Sequence, residues 1–196
     1  MTKVKIGCAA AALLLITVAV QVKEPEAVKV TPMIVAETII EVPPAPYVEP
    51  VPSVTLYDIP LSEELQEYTY ETCEKYLVGN YYDLVLAVMW QESTFDASTI
   101  SKTNDYGLMQ INKVNHKWLR EKLSITDFLD PQQNIEAGVF MLSSYLLKYE
   151  NVNRALMSYN MGEGGARKRW KQGIHTTNYT DLVGSKYAKM NEYIIE

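Results

Sequence analysis

Apolar and polar positions alternate at helical spacing from Leu61 onward. Leu61, Leu65, Tyr68, Thr72, Cys73 and Tyr76 fall on one face. Ser62 precedes them as a cap, with Glu63 and Glu64 in a first turn where the helix dipole favours acids. Gly79-Asn80 is expected to end this helix, and Asp83 to cap the next. That second helix, Leu84 to Glu92, is apolar all round and predicts a central buried element. Leu119 to Leu123, Asn134 to Tyr149 and Asn153 to Tyr159 read as further helical segments, and Asp130-Pro131 as a helix start. Asn104-Asp105-Tyr106-Gly107 is turn-prone and predicts a short β-hairpin before Gln110.

The pattern upstream is different. Lys3 and Lys5 precede Ile6 to Val22, seventeen residues without a charge. This is a signal peptide or an uncleaved signal anchor, near the short limit for a span. No Ala-x-Ala cleavage signal follows, which favours the anchor, with the remainder exported. Residues 23–60 hold eight of the nine prolines, six acidic residues and no glycine. Proline removes backbone donors and favours extended chain, so this stretch reads as a disordered linker reaching on the order of 100 Å. The division is therefore 1–22 membrane segment, 23–60 linker and 61–196 folded domain, with residues 1–60 dispensable for folding.

Composition narrows the function. The 196 residues are 47% hydrophobic and 21% charged, enough for one modest domain plus appendages. A net charge of -6 gives no basic footprint for nucleic acid. Cys8 lies in the apolar leader, so Cys73 has no partner within the domain and reads as a buried small hydrophobe. His116 and His175 stand alone, no spacing suggests a metal, and no glycine-rich phosphate loop is present, so no cofactor is expected. The Arg167-Lys168-Arg169 and Lys171 cluster reads as a solvated helix end rather than a contact for carboxylates or phosphates.

Glu92 carries the candidate chemistry. A carboxylate closing a hydrophobic helix loses hydration, which disfavours its charged form and holds its proton to higher pH. A general acid that protonates a glycosidic oxygen needs this property. Glu92-Ser93-Thr94-Phe95 is followed by Ser101, nine residues after the Glu. Gly107-Leu108-Met109-Gln110-Ile111-Asn112 and Ser158-Tyr159-Asn160-Met161-Gly162 come next.

In this order the blocks resemble the peptidoglycan lytic transglycosylases of the soluble-lytic-transglycosylase type, within the lysozyme-like superfamily, from about Leu61 to the C-terminus. The resemblance implies a mainly α, lysozyme-like domain acting on peptidoglycan glycan strands. It implies Glu92 as the catalytic acid and then base, and Ser101, Gln110, Tyr159 and Asn160 as substrate contacts. Gly107 reads as a conformational glycine, Met109 as cleft wall or core, and Ser93 and Phe95 as shapers of the turn after the helix. Met161 departs from the small residue usual in the Tyr-Asn-x-Gly block.

A late tyrosine completes such sites. Tyr187 in Tyr187-Ala188-Lys189-Met190 matches best, and Thr176-Thr177-Asn178-Tyr179 is the other match. The implied reaction severs the β-1,4 bond between N-acetylmuramic acid and N-acetylglucosamine without water, leaving a 1,6-anhydro end. Asp105 opens an alternative, because Asp-Tyr-Gly also resembles the segment of animal-type lysozymes that carries a second carboxylate. Its other reading is a turn-stabilising residue. A dormant, wall-binding module is the third expectation. The enzyme is expected on the outer side of the cell membrane, or secreted if the leader is cleaved.

Overall fold

The computed structural model describes residues 54–195. The expected membrane segment and linker residues 23–53 lie outside the described residues. Among the described residues, no helix is long and apolar enough to cross a membrane.

Among the described residues, six α-helices and one antiparallel strand pair follow in order: α1 (Glu63–Lys75), α2 (Tyr82–Ser93), β1 (Asp105–Tyr106), β2 (Ile111–Asn112), α3 (His116–Leu123), α4 (Pro131–Tyr149), α5 (Val152–Trp170) and α6 (Asn178–Lys189). The mainly helical expectation holds, and so does the hairpin, with Asp105 opposite Asn112 and Tyr106 opposite Ile111. α2 is the centre: Leu84, Val85, Leu86, Ala87, Val88 and Met89 are all buried in succession. It packs against α6, while α4 packs against α1 and α5. A helix buried on every side needs no amphipathic stripe, which is why its apolar run was legible.

Caps set several boundaries. Ser62 Oγ accepts from Leu65 N, as its position implied. Asp130 accepts from Gln133 N with Pro131 in the first turn. Asp83 is not the cap of α2. It lies inside the first turn, where its Oδ1 accepts from the Tyr57 hydroxyl at 2.7 Å. α1 ends at Lys75 rather than at Gly79-Asn80. Leu77 takes the left-handed conformation (φ 61°), and Gly79–Tyr81 form a separate 3-10 turn. Cys73 is buried as expected, and burial pushes its thiol up to about 12.

The domain does not begin at Leu61. Tyr57, assigned to the linker, is buried at 2% exposure. Its N–H donates to Gln66 Oε1 and its carbonyl accepts from Gln66 Nε2, at 2.8 and 2.9 Å. Asp58 N donates to Tyr193 O and Ile195 N to Leu56 O, closing an antiparallel bridge between Tyr57 and Ile194. Burying Gln66 is tolerated because its amide is satisfied by this backbone. The packed chain therefore includes residues 56–60.

α5 contains a break that its pattern did not announce. Gly162 has φ 71° and ψ 154°, a region open essentially to glycine alone. Beyond it, Glu163 is gripped by Lys148 Nζ (2.8 Å), the Tyr149 hydroxyl (2.8 Å) and Arg167, which pins the second half of α5 to the end of α4. Arg167 is thus paired, while Lys168, Arg169 and Lys171 are exposed.

Candidate active site

α2 delivers Glu92 to the floor of a cleft of about 590 Å³. Thr94 and Phe95 both take positive φ (55° and 65°), so the chain reverses at once after the helix. Ser93 Oγ donates to Leu108 O at 2.9 Å, and Phe95 is buried against Trp90. These two residues shape the turn, as expected.

Gly107 (φ 72°) lies where a Cβ would sit 2.5 Å from Asn134 Nδ2 and 2.8 Å from Phe128 O. Only glycine fits. Asn134, fully buried on α4, donates to Tyr106 O and Phe128 O and accepts from Met109 N, so it clamps the hairpin to the core. Met109 is core rather than cleft wall, at 0% exposure. Its carbonyl accepts from the Tyr159 hydroxyl at 2.8 Å, which ties α5 to the same segment.

Glu92, Ser101, Asp105, Gln110, Tyr159 and Asn160 all line this one cleft. Gln110 Nε2 is spent on Gly107 O and Thr99 O. Asn160 is exposed, and its side-chain amide makes no hydrogen bond among the described residues. Met161 and Gly162 also line the cleft, carried there by the break in α5.

Tyr187 is not part of this constellation. It is 48% exposed and does not line the cleft. The late tyrosine that reaches Glu92 is Tyr179, which lies behind the cleft lining and donates its hydroxyl to Glu92 Oε1 at 2.6 Å. The reason is helical geometry. Thr177 and Thr180 form a reciprocal capping box that starts α6 at Asn178, so Tyr179 falls in the first turn. Tyr187 is eight residues on, roughly two turns and about 80° around the axis.

The two cleft carboxylates are tuned in opposite directions. Burial pushes Glu92 from 4.5 to about 7; the Tyr179 hydrogen bond opposes this and the charge of Asp105 adds to it. Asp105 is pulled upward by burial, but the Ser101 hydroxyl, the Thr103 hydroxyl and the Asn112 amide together hold it below its ordinary value. Ser101 Oγ donates to Asp105 Oδ2 and Asn112 Nδ2 to Oδ1, each at 2.6 Å. Near neutral pH the cleft thus holds one protonatable acid beside one fixed anion. Burial and the neighbouring Glu92 push the Tyr179 phenol well above its usual value, so it remains a donor.

Sequence reasoning missed Val114, Asn115, Met141 and Tyr145, which complete the cleft wall. Residue type alone gave no signal for them, since none belongs to the sequence blocks that marked Glu92, Ser101, Gln110, Tyr159 and Asn160.

Known proteins resemble this chain. Residues 74–181, more than half of the chain, match the family model of the transglycosylase SLT domain. The membrane-bound lytic murein transglycosylase F of Desulfosudis oleivorans is 36% identical over 93 residues, covering 44% of this chain and 20% of its own length. The transglycosylase of Enterobacteria phage PRD1 is 35% identical over 100 residues, covering 51% of this chain and 35% of its own. The chain thus spans about a fifth to a third of the length of these relatives. Among solved structures, the 70 kDa soluble lytic transglycosylase of Escherichia coli superposes with a TM-score of 0.51 at 21% identity, covering 66% of this chain and 26% of that one. That likeness supports the fold, and with the matched family model it means that the chain belongs to the transglycosylase SLT domain family.

Proposed function

We propose that this domain cleaves the β-1,4 bond between N-acetylmuramic acid and N-acetylglucosamine in peptidoglycan by transglycosylation, with Glu92 as sole acid and base. The observation that carries this reading is the contrast between the two cleft carboxyls: Glu92 is raised to about 7, whereas Asp105 is saturated by donors. Protonated Glu92 gives its proton to the glycosidic oxygen as the bond to muramic C1 breaks. The muramic C6 hydroxyl then attacks C1, and the Glu92 carboxylate takes its proton. The product carries a 1,6-anhydro ring and no water is consumed. The substrate's own acetamido group stabilises the developing cation, which is how one carboxylate suffices where ordinary glycosidases use two. Tyr179 positions the Glu92 carboxyl, and Asn160 offers a donor and an acceptor to a sugar hydroxyl or acetamido group.

Hydrolysis with Asp105 as the second carboxylate is the competing reading, because Asp105 lines the same cleft. Its hydrogen bonds count against it: an anion already accepting from Ser101, Thr103 and Asn112 is a weak base and a weak nucleophile. Digestion of purified peptidoglycan in heavy-oxygen water separates the two. Unlabelled anhydro ends are expected, and labelled reducing ends would establish the hydrolase.

Two substitutions should move the pH profile in opposite directions. Activity needs protonated Glu92 and declines as pH rises through about 7. Asp105→Asn removes a nearby negative charge, so this descending limb should shift to lower pH, with less than about tenfold loss of rate and anhydro products retained. Tyr179→Phe removes the hydrogen bond that lowers the Glu92 value, so the limb should shift to higher pH. Looser positioning should cost roughly tenfold in kcat. Rates measured across pH for both variants check the signs.

The name of the Desulfosudis oleivorans relative, membrane-bound, supports reading residues 6–22 as an anchor that holds the domain at the outer membrane face, beside its polymer.

A further inference from the structure

Next to the cleft wall stands an exposed aromatic side chain that the reaction described above does not use. Val114 lines the cleft and is 81% exposed; Trp118, one helical turn on in α3, is 40% exposed. Trp118 does not line the cleft itself, but its Nε1 donates to the Oδ1 of Asn115, a cleft residue, at 3.1 Å. Its other neighbour is Phe140, with ring centroids 6.1 Å apart, and Phe140 adjoins the cleft residue Met141. The indole is therefore held on both sides: its one polar group is spent on Asn115, and Phe140 braces the ring. What it leaves to solvent is apolar ring surface, beside the cleft residue Asn115.

We propose that Trp118 is a sugar-stacking platform at the cleft rim, which holds the glycan strand where it runs out of the cleft. A pyranose ring has an apolar face of C–H groups, and an aromatic ring that is already oriented gains that contact at little conformational cost. An indole whose N–H is satisfied loses nothing by being covered with sugar carbons. Because Trp118 lies beyond the residues that line the cleft, only a strand long enough to cross the rim reaches it. Trp118 therefore makes affinity depend on strand length. The proposal rests on the glycan-cleaving reading of the cleft.

The test uses the full-length protein carrying Glu92→Gln, so that ligand survives, and calorimetric titration with purified peptidoglycan glycan fragments of increasing length. With Trp118 intact, affinity should rise between fragments that fill the cleft and fragments that overrun it. Adding Trp118→Ala should remove that rise and weaken the long fragments roughly tenfold, while Trp118→Phe should keep most of it. An unchanged length dependence in Trp118→Ala would overturn the platform. So would equal weakening at every length together with a lower melting temperature, which would make Trp118 only a cover for Phe140. If the Trp118-intact protein binds no fragment of any length, the glycan reading of the cleft itself fails, and the platform with it.

Discussion

Glu92→Gln should keep the fold and lose about 10²–10⁴-fold in peptidoglycan cleavage, the range over which general acid–base groups act. The amide keeps the shape and still accepts the Tyr179 hydroxyl, but it has no proton to transfer. The same variant should also be more stable than the parent at neutral and alkaline pH. Folding raises Glu92 from 4.5 to about 7, so its stabilising contribution is complete below about 4.5 and is lost as pH rises through about 7. Above that, the parent carries a buried carboxylate at a cost of roughly 3 kcal/mol, which the glutamine avoids. Melting curves of both proteins at pH 5 and pH 8 should therefore diverge only at the higher pH. Cleavage within a few-fold of the parent would remove Glu92 from its role. Equal melting at pH 8 would remove the buried-carboxylate argument.

A chain beginning at residue 54 should fold cooperatively, and one beginning at residue 61 should not match it. The shorter chain loses the Tyr57 ring, its bond to Asp83, both bonds to Gln66 and the bridge to Ile194. Removing a large buried aromatic costs about 3–5 kcal/mol, and Gln66 Oε1, left without its Tyr57 donor while Nε2 keeps Leu61 O, adds about 1–3. Against a total stability of about 5–15 kcal/mol, the domain is left close to unfolding. The melting temperature should fall by more than about 10 °C, or the protein should aggregate. Tyr57→Phe, which loses only the Asp83 contact, should fall between the two. Equal melting of the two truncated chains would restore the boundary at Leu61.

The contrast between these two predictions marks how far the sequence could be read. The cleft position of Glu92 and its raised proton affinity were legible because their cause is local: an apolar helix ends in a carboxylate, and the turn, glycine and glutamine motifs follow within twenty residues. Tyr57 was not, because its segment pairs with Tyr193 to Ile195 at the far end of the chain, and the prolines around it dominate the composition. α6 failed for another reason. Its mostly polar run masks the periodicity, and its Thr177–Thr180 box lacks the Glu or Gln that usually marks such a start. Choosing Tyr187 over Tyr179 followed from that, since without the helix start neither tyrosine could be assigned a face. The break at Gly162 is equally silent, because a glycine in sequence does not announce whether its freedom is used.

The bridge between Leu56–Asp58 and Tyr193–Ile195 brings the two ends of the packed chain side by side. Such a unit is topologically almost a ring. Entry and exit points that coincide let a domain be spliced into a host as a cassette without stretching either chain, the condition under which insertions and circular permutations are tolerated.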